Sequence, residues 1–142
     1  MNKVDDFVPL LKETLKNHKD FIMPVKGTSM LPFINSKHLV VLTYSTDFKK
    51  NDIVFYQREN GQYVLHRIYE VKKDHFVLMG DNQTFKEEPI YPSQIIGKVK
   101  AVKKGKKTHY LKGLSYHLYL FFWHNRIIRK IFFPLTRRFF ND

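Results

Sequence analysis

The sequence predicts a mainly β domain set between an N-terminal amphipathic helix and a C-terminal basic, aromatic helical tail. Three observations predict it. Five short runs rich in Val, Ile, Tyr and Phe follow one another between residues 38 and 102. Ahead of them apolar residues recur near helical spacing. Behind them the chain becomes strongly cationic and aromatic.

The N-terminal helix is read from Val4, Phe7, Val8, Leu11, Leu15 and Ile22, which alternate with lysines and acids and place one amphipathic segment over residues 1–22. Pro24 breaks that pattern, and residues 27–32 read as a turn or short exposed segment that contains Ser29. The β runs cover residues 38–44, 53–57, 62–71, 75–79 and 95–102. Asn60-Gly61 joins the second run to the third as a hairpin, because both residues tolerate positive φ, and Lys72 to Asp74 turns the third into the fourth. The catalytic domain is expected over residues 23–105, leaving 106–142 as a mainly helical tail interrupted near Pro134.

A chain of 142 residues with 43% hydrophobic content is long enough to bury one real core. It has no cysteine, which excludes a disulfide framework, a thiolate metal site and a thiol nucleophile. The net charge of +12 suggests a nucleic-acid or membrane partner until it is located along the chain. Residues 1–97 hold 13 Lys+Arg against 12 Asp+Glu, whereas residues 98–142 hold 12 Lys+Arg against Asp142 alone. The body is therefore neutral and the tail polycationic, with ten aromatics between Tyr110 and Phe140.

Charged residues such as Asp5, Asp6, Lys12 and Glu13 interrupt the N-terminus, so no secretory signal is read there. The longest tempting uncharged stretch, residues 113–125, falls short of the roughly 20 apolar residues a spanning helix needs. No bilayer crossing is expected. The apolar residues Leu114, Leu118, Phe121, Phe122, Ile128, Ile131 and Phe132, interleaved with Arg126, Arg129 and Lys130, suit a peripheral anchor in the headgroup layer of an anionic membrane. His117 and His124 could share one helical face, but no acid or cysteine joins them, so neither a metal nor another cofactor is expected.

Taken alone, Ser29 is a turn serine and His66, alternating with Val64 and Ile68, an ordinary strand histidine. Their setting changes that reading. Gly27-Thr28-Ser29-Met30-Leu31-Pro32 is followed in order by Asn51-Asp52-Ile53-Val54, Leu65-His66-Arg67-Ile68 and Gly80-Asp81-Asn82. This set, over about residues 23–102, resembles the signal peptidase I and LexA-type serine peptidases of the S24/S26 superfamily. Many of those peptidases carry a lysine where His66 stands; His66-Arg67 resembles the endoplasmic-reticulum and archaeal branch. The resemblance implies a signal peptidase/LexA-like β catalytic core with Ser29 as nucleophile and His66 as general base.

A hydroxyl is a poor nucleophile at neutral pH and needs such a base within reach, and imidazole suits the task without the desolvation a catalytic lysine requires. The base in turn needs a group to fix its tautomer. The resemblance implies an acid shortly after Gly80-Asp81-Asn82, where Glu87 falls and Lys86 replaces a family aspartate. Asp81 is the alternative, although Asp and Asn in such a turn more often close it by bonding backbone amides. The backbone N–H of Ser29 is the expected oxyanion donor. Gly27 stands where bacterial relatives often add a serine hydroxyl, Thr28 is the candidate second donor, and Met30 and Pro32 complete the nucleophile box.

The resulting expectation is an endopeptidase that acts at a membrane surface on an exported protein or a precursor (leader) peptide. Two other readings remain open: a LexA-like self-cleaving regulator, and an inactive relative whose basic tail binds membrane or nucleic acid. Against self-cleavage, the 28 residues ahead of Ser29 hold no Ala-Gly or Cys-Gly pair. The tail favours lipid over nucleic acid as its partner.

Overall fold

The computed structural model describes residues 3–125 together with 129 and 131. The order is α1 (Lys3–Lys16), β1 (Phe21–Pro24), β2 (Leu39–Thr43), β3 (Ile53–Gln57), β4 (Tyr63–Val71), β5 (Phe76–Met79), β6 (Glu87–Ile90), β7 (Ile95–Lys104), β8 (Lys107–Tyr110) and α2 (Leu114–His124), with a short 3-10 turn at Pro92–Gln94. The described chain is thus mainly antiparallel β with a helix at each end, as expected.

Helix α1 forms where apolar residues recur at 3–4 spacing, with Asp5 and Asp6 complementing the dipole of its first turn. It stops earlier than expected, because His18 adopts a left-handed φ of 57° and the Lys19 N–H closes back on the Thr14 carbonyl at 3.1 Å. Ile22 consequently belongs to β1 and not to the helix. Val8, Leu11 and Leu15 are buried in the larger core cluster with Val40, Leu42, Phe55 and Val102. Each such side chain contributes about 1.5–3 kcal/mol by leaving water. The fit is close: a Cβ at Gly97 of β7 would stand 2.8 Å from Leu15 Cδ1.

All the strands join one sheet in the order β1-β2-β7-β3-β4-β5-β6, with β8 on β7. The hydrophobic alternation sets this register: Val54 faces His66, and Tyr56 faces Val64 across the β3–β4 ladder. The hairpin at Asn60-Gly61 is present, but only Gly61 takes positive φ (89°), and the Asn60 side chain instead accepts a hydrogen bond from the Gln62 N–H at 2.9 Å.

The β domain extends beyond residue 105, since β7 and β8 form a hairpin that reaches Tyr110. Helix α2 then docks on the domain. Its Leu120 and Trp123 are buried, whereas Leu114, Leu118, Phe121 and Phe122 are 78%, 50%, 66% and 47% exposed and lie on the opposite face. The region is therefore a helix with two apolar faces, one packed at home. Among the described residues no helix is long and apolar enough to cross a membrane. Arg126, Ile128, Lys130, Phe132 and Pro134, part of the expected anchor, lie outside the described residues.

Candidate active site

Ser29 sits in the irregular segment after β1, between an exposed stretch and a buried one. Gly27 precedes it at φ 79°, a conformation glycine adopts freely, while Met30, Leu31 and Ile34 behind it are buried and fix the turn to the core. The Ile34 N–H donates to the Met30 carbonyl at 2.9 Å and the Leu31 N–H to the Thr28 carbonyl at 3.2 Å. Among the described residues the Ser29 N–H meets no acceptor and its hydroxyl makes no hydrogen bond.

The turn that follows β5 braces this segment from the other side. The Asn82 N–H donates to the Ser29 carbonyl at 2.8 Å, and Asn82 Nδ2 to the Thr28 carbonyl at 3.1 Å. Ser29 is thus held through its backbone, which leaves its side chain free to react. Gly27, Thr28, Ser29 and Leu31 line a cavity of about 500 Å³ together with residues 82–85. A second cavity, of about 340 Å³, is lined by Ser29, Met30, His66, Arg58, Leu65 and Gln83 among others. Pro32 is half-buried and lines neither.

The structure therefore brings Ser29 and His66 to one cavity, although 37 positions separate them in sequence. His66 lies on β4, between β3 and β5 in the sheet, and is 1% exposed. Burial pushes its pKa down to about 4, with Arg58 adding to the fall and Glu87 and Asp81 opposing it. At neutral pH the ring is uncharged and able to accept a proton. Its Nδ1 lies 3.3 Å from the Tyr56 hydroxyl and 3.9 Å from Glu87 Oε2.

Glu87 comes from β6, which sequence reading leaves as loop because Glu87-Glu88-Pro89 lacks any β signal. Its carboxylate is clamped by Arg58, whose Nε and Nη2 donate to Oε1 and Oε2, both at 2.8 Å. Tyr56 also donates to Oε2, at 2.9 Å. Burial would raise the Glu87 pKa, but the Arg58 and Tyr56 hydrogen bonds outweigh it and leave the carboxyl below its ordinary value. Tyr56 and Arg58 carry no motif; a strand aromatic and a hairpin arginine look ordinary until β6 is folded beside them.

Asp81 makes no hydrogen bond to the His66 ring. It is fully buried and takes two hydrogen bonds from the Arg67 guanidinium, Nε to Oδ1 and Nη2 to Oδ2, each at 2.8 Å. Tyr119 of α2 donates to Oδ2 at 2.8 Å, and Trp123 Nε1 to the Asp81 carbonyl at 3.3 Å. Phe33, Tyr116, Tyr119 and Trp123 surround the guanidinium carbon with ring centroids 5.2 to 5.7 Å away. Burial works against the Arg67 charge, yet Asp81 more than offsets it and keeps the pKa above its ordinary value. Because successive strand residues point to opposite faces, His66 serves the cavity while Arg67 ties α2 to the Asp81 turn.

Asn51 has a matching part. It adopts a left-handed φ of 79°, which asparagine tolerates better than most residues. Its side-chain oxygen bonds His124 Nε2 at 2.6 Å, and its carbonyl accepts from Arg67 Nη1 at 2.9 Å. His124 is thereby committed to α2 docking.

A serine and a buried neutral imidazole thus line one cavity on an antiparallel sheet. The chain belongs to the Peptidase S24-like family, which it matches over residues 1–100, a family of serine peptidases with a LexA-like fold. Comparison with curated proteins returns no match.

Proposed function

We propose that the chain is a signal peptidase-type serine endopeptidase, with Ser29 as nucleophile and His66 as general base, that cleaves an exported protein or a precursor peptide. The observation that carries this reading is the cavity of about 340 Å³ shared by Ser29 and His66. In the proposed reaction Ser29 Oγ attacks the scissile carbonyl and His66 Nε2 takes its proton, leaving Nδ1 facing Tyr56 and Glu87. The Ser29 N–H then donates to the developing oxyanion. His66 returns the proton to the leaving amine, which departs, and the acyl-serine remains. Water deprotonated by His66 attacks that ester and frees Ser29.

The low pKa of His66 has two effects on this cycle. The base is fully deprotonated at pH 7, but its imidazolium is costly in a buried site. Glu87, 3.9 Å from Nδ1, becomes an ion-pair partner only while that imidazolium exists, so its attraction favours the transition state over the resting enzyme.

The exposed apolar face of α2 beside a polycationic C-terminal region supports placement of the enzyme on an anionic membrane surface. A lipid-docked enzyme would meet exported substrates as they reach the headgroup layer. The proposal is tested by incubating wild-type and Ser29→Ala protein with candidate preproteins and leader peptides and reading the products by mass spectrometry. Cleavage at one site by wild type alone is the expected result; equal cleavage by Ser29→Ala removes the nucleophile assignment.

A further inference from the structure

We infer that Tyr56 is the positioning residue of this site: its hydroxyl bridges His66 and Glu87, fixes the proton of the imidazole on Nδ1, and so presents the Nε2 lone pair to Ser29. The inference deepens the peptidase reading above and rests on it for its kinetic part alone.

Donors and acceptors decide the arrangement. Glu87 Oε2 is 3.9 Å from His66 Nδ1, beyond hydrogen-bond range, whereas the Tyr56 hydroxyl is within range of both, 2.9 Å from Oε2 and 3.3 Å from Nδ1. A phenol has one proton to give, and an ionised carboxylate can only accept. The proton therefore goes to Glu87. The phenol oxygen is left as an acceptor toward the ring, and only an Nδ1–H can satisfy it. The order Glu87, Tyr56–OH, His66 Nδ1–H is self-consistent, and the opposite tautomer would set two lone pairs against each other.

Glu87 is also prevented from replacing Tyr56 by swinging onto the ring. Both of its oxygens are engaged by Arg58 at 2.8 Å, and Arg58 is held in turn by Gln62 Oε1 at 2.7 Å. The Arg58–Glu87 pair carries no net charge. While the ring is neutral the contribution of the pair is therefore to aim the tyrosine, and the attraction of Glu87 for the ring acts only once the imidazolium forms. Burial, reinforced by the Glu87 charge, keeps the Tyr56 phenol protonated far above its ordinary range, so the bridge keeps its proton as pH rises above neutral.

The test uses full-length protein labelled with nitrogen-15 in histidine, in which ring chemical shifts distinguish the two neutral tautomers at pH 7. Wild type is expected to show His66 as Nδ1–H. Tyr56→Phe keeps the ring shape, and is expected to release the tautomer preference and to lower kcat about 10- to 100-fold with KM nearly unchanged. An Nε2–H tautomer in wild type overturns the inference whatever the variant does. A folded Tyr56→Phe enzyme that keeps the Nδ1–H tautomer and wild-type kcat overturns it too, and makes Glu87 the direct partner. Because the tautomer is read without substrate, a protein that cleaves nothing but shows Nδ1–H dependent on Tyr56 upholds the bridge while the peptidase reading fails.

Discussion

Gly80 stands so close to Ser29 that a Cβ added at residue 80 would lie 2.6 Å from the Ser29 carbonyl oxygen. That oxygen also accepts the Asn82 N–H at 2.8 Å, so the turn after β5 and the Ser29 segment are fitted backbone to backbone. Gly80→Ala must push the two apart. A displacement on the order of 1 Å costs ~10²-fold in rate where reacting groups are positioned for attack. Gly80→Ala is expected to lower kcat/KM by about that factor, with about 1–3 kcal/mol lost in stability from overpacking. A substituted enzyme of wild-type activity would show that Ser29 is positioned by other contacts.

Asp81 and Glu87 are expected to separate cleanly into structural and functional acids. Asp81→Asn leaves Arg67 buried beside a neutral partner and should cost about 3–5 kcal/mol, a large share of a domain's stability. The chain has a single tryptophan, Trp123, bonded to the Asp81 carbonyl, so its fluorescence reports this undocking of α2 directly. Glu87→Gln should cost less stability than Asp81→Asn, because Arg58 is partly exposed and keeps water as a partner, and should lower kcat by about tenfold or more. The reverse pattern would exchange their roles.

The pH dependence of stability has a defined sign. His66 and His124 are both held at about 4 by burial, against 6.5 in the unfolded chain. Between these values the unfolded state binds more protons, so stability is lost as pH falls from 6.5 toward 4, by about 3 kcal/mol from His66 at full extent. His75 acts oppositely: Asp74 and Glu88 raise its pKa, so its contribution is present at low pH and lost as pH rises through the folded value. Urea titrations at pH 7 and 4.5 should show a weaker protein at the lower pH, with a smaller difference when His66 is replaced.

The outer face of α2 should bind lipid without supporting the fold. Leu118→Ser with Phe121→Ser removes exposed apolar surface and is expected to leave thermal stability within about 0.5 kcal/mol of wild type. The same pair should weaken sedimentation with anionic vesicles, and salt should weaken it further. Wild-type protein that ignores such vesicles at low salt contradicts the membrane proposal.

Much of this architecture was legible in local pattern. The run at residues 53–57 coincides with β3, and those at 62–71 and 75–79 differ from β4 and β5 by one residue, because their β-branched and aromatic residues pack on a buried pleat. β1, β6 and β8 carried no such signal: they are four residues long, and Pro24, Glu87-Glu88-Pro89 and Lys107-Thr108 argue for loop until a neighbouring strand pairs with them. The ordered motifs brought Ser29, His66 and Glu87 forward. Tyr56 and Arg58 could not be found that way, since their positions matter only through hydrogen bonds across β3 and β6.

The central claim is that Ser29 and His66 act as one unit, and a double-mutant cycle on cleavage rate tests it most directly. Ser29→Ala and His66→Ala should each reduce kcat by about 10³-fold or more, and the double variant should be no slower than either single one. Losses that multiply, or a His66→Ala enzyme as fast as wild type, would contradict the account.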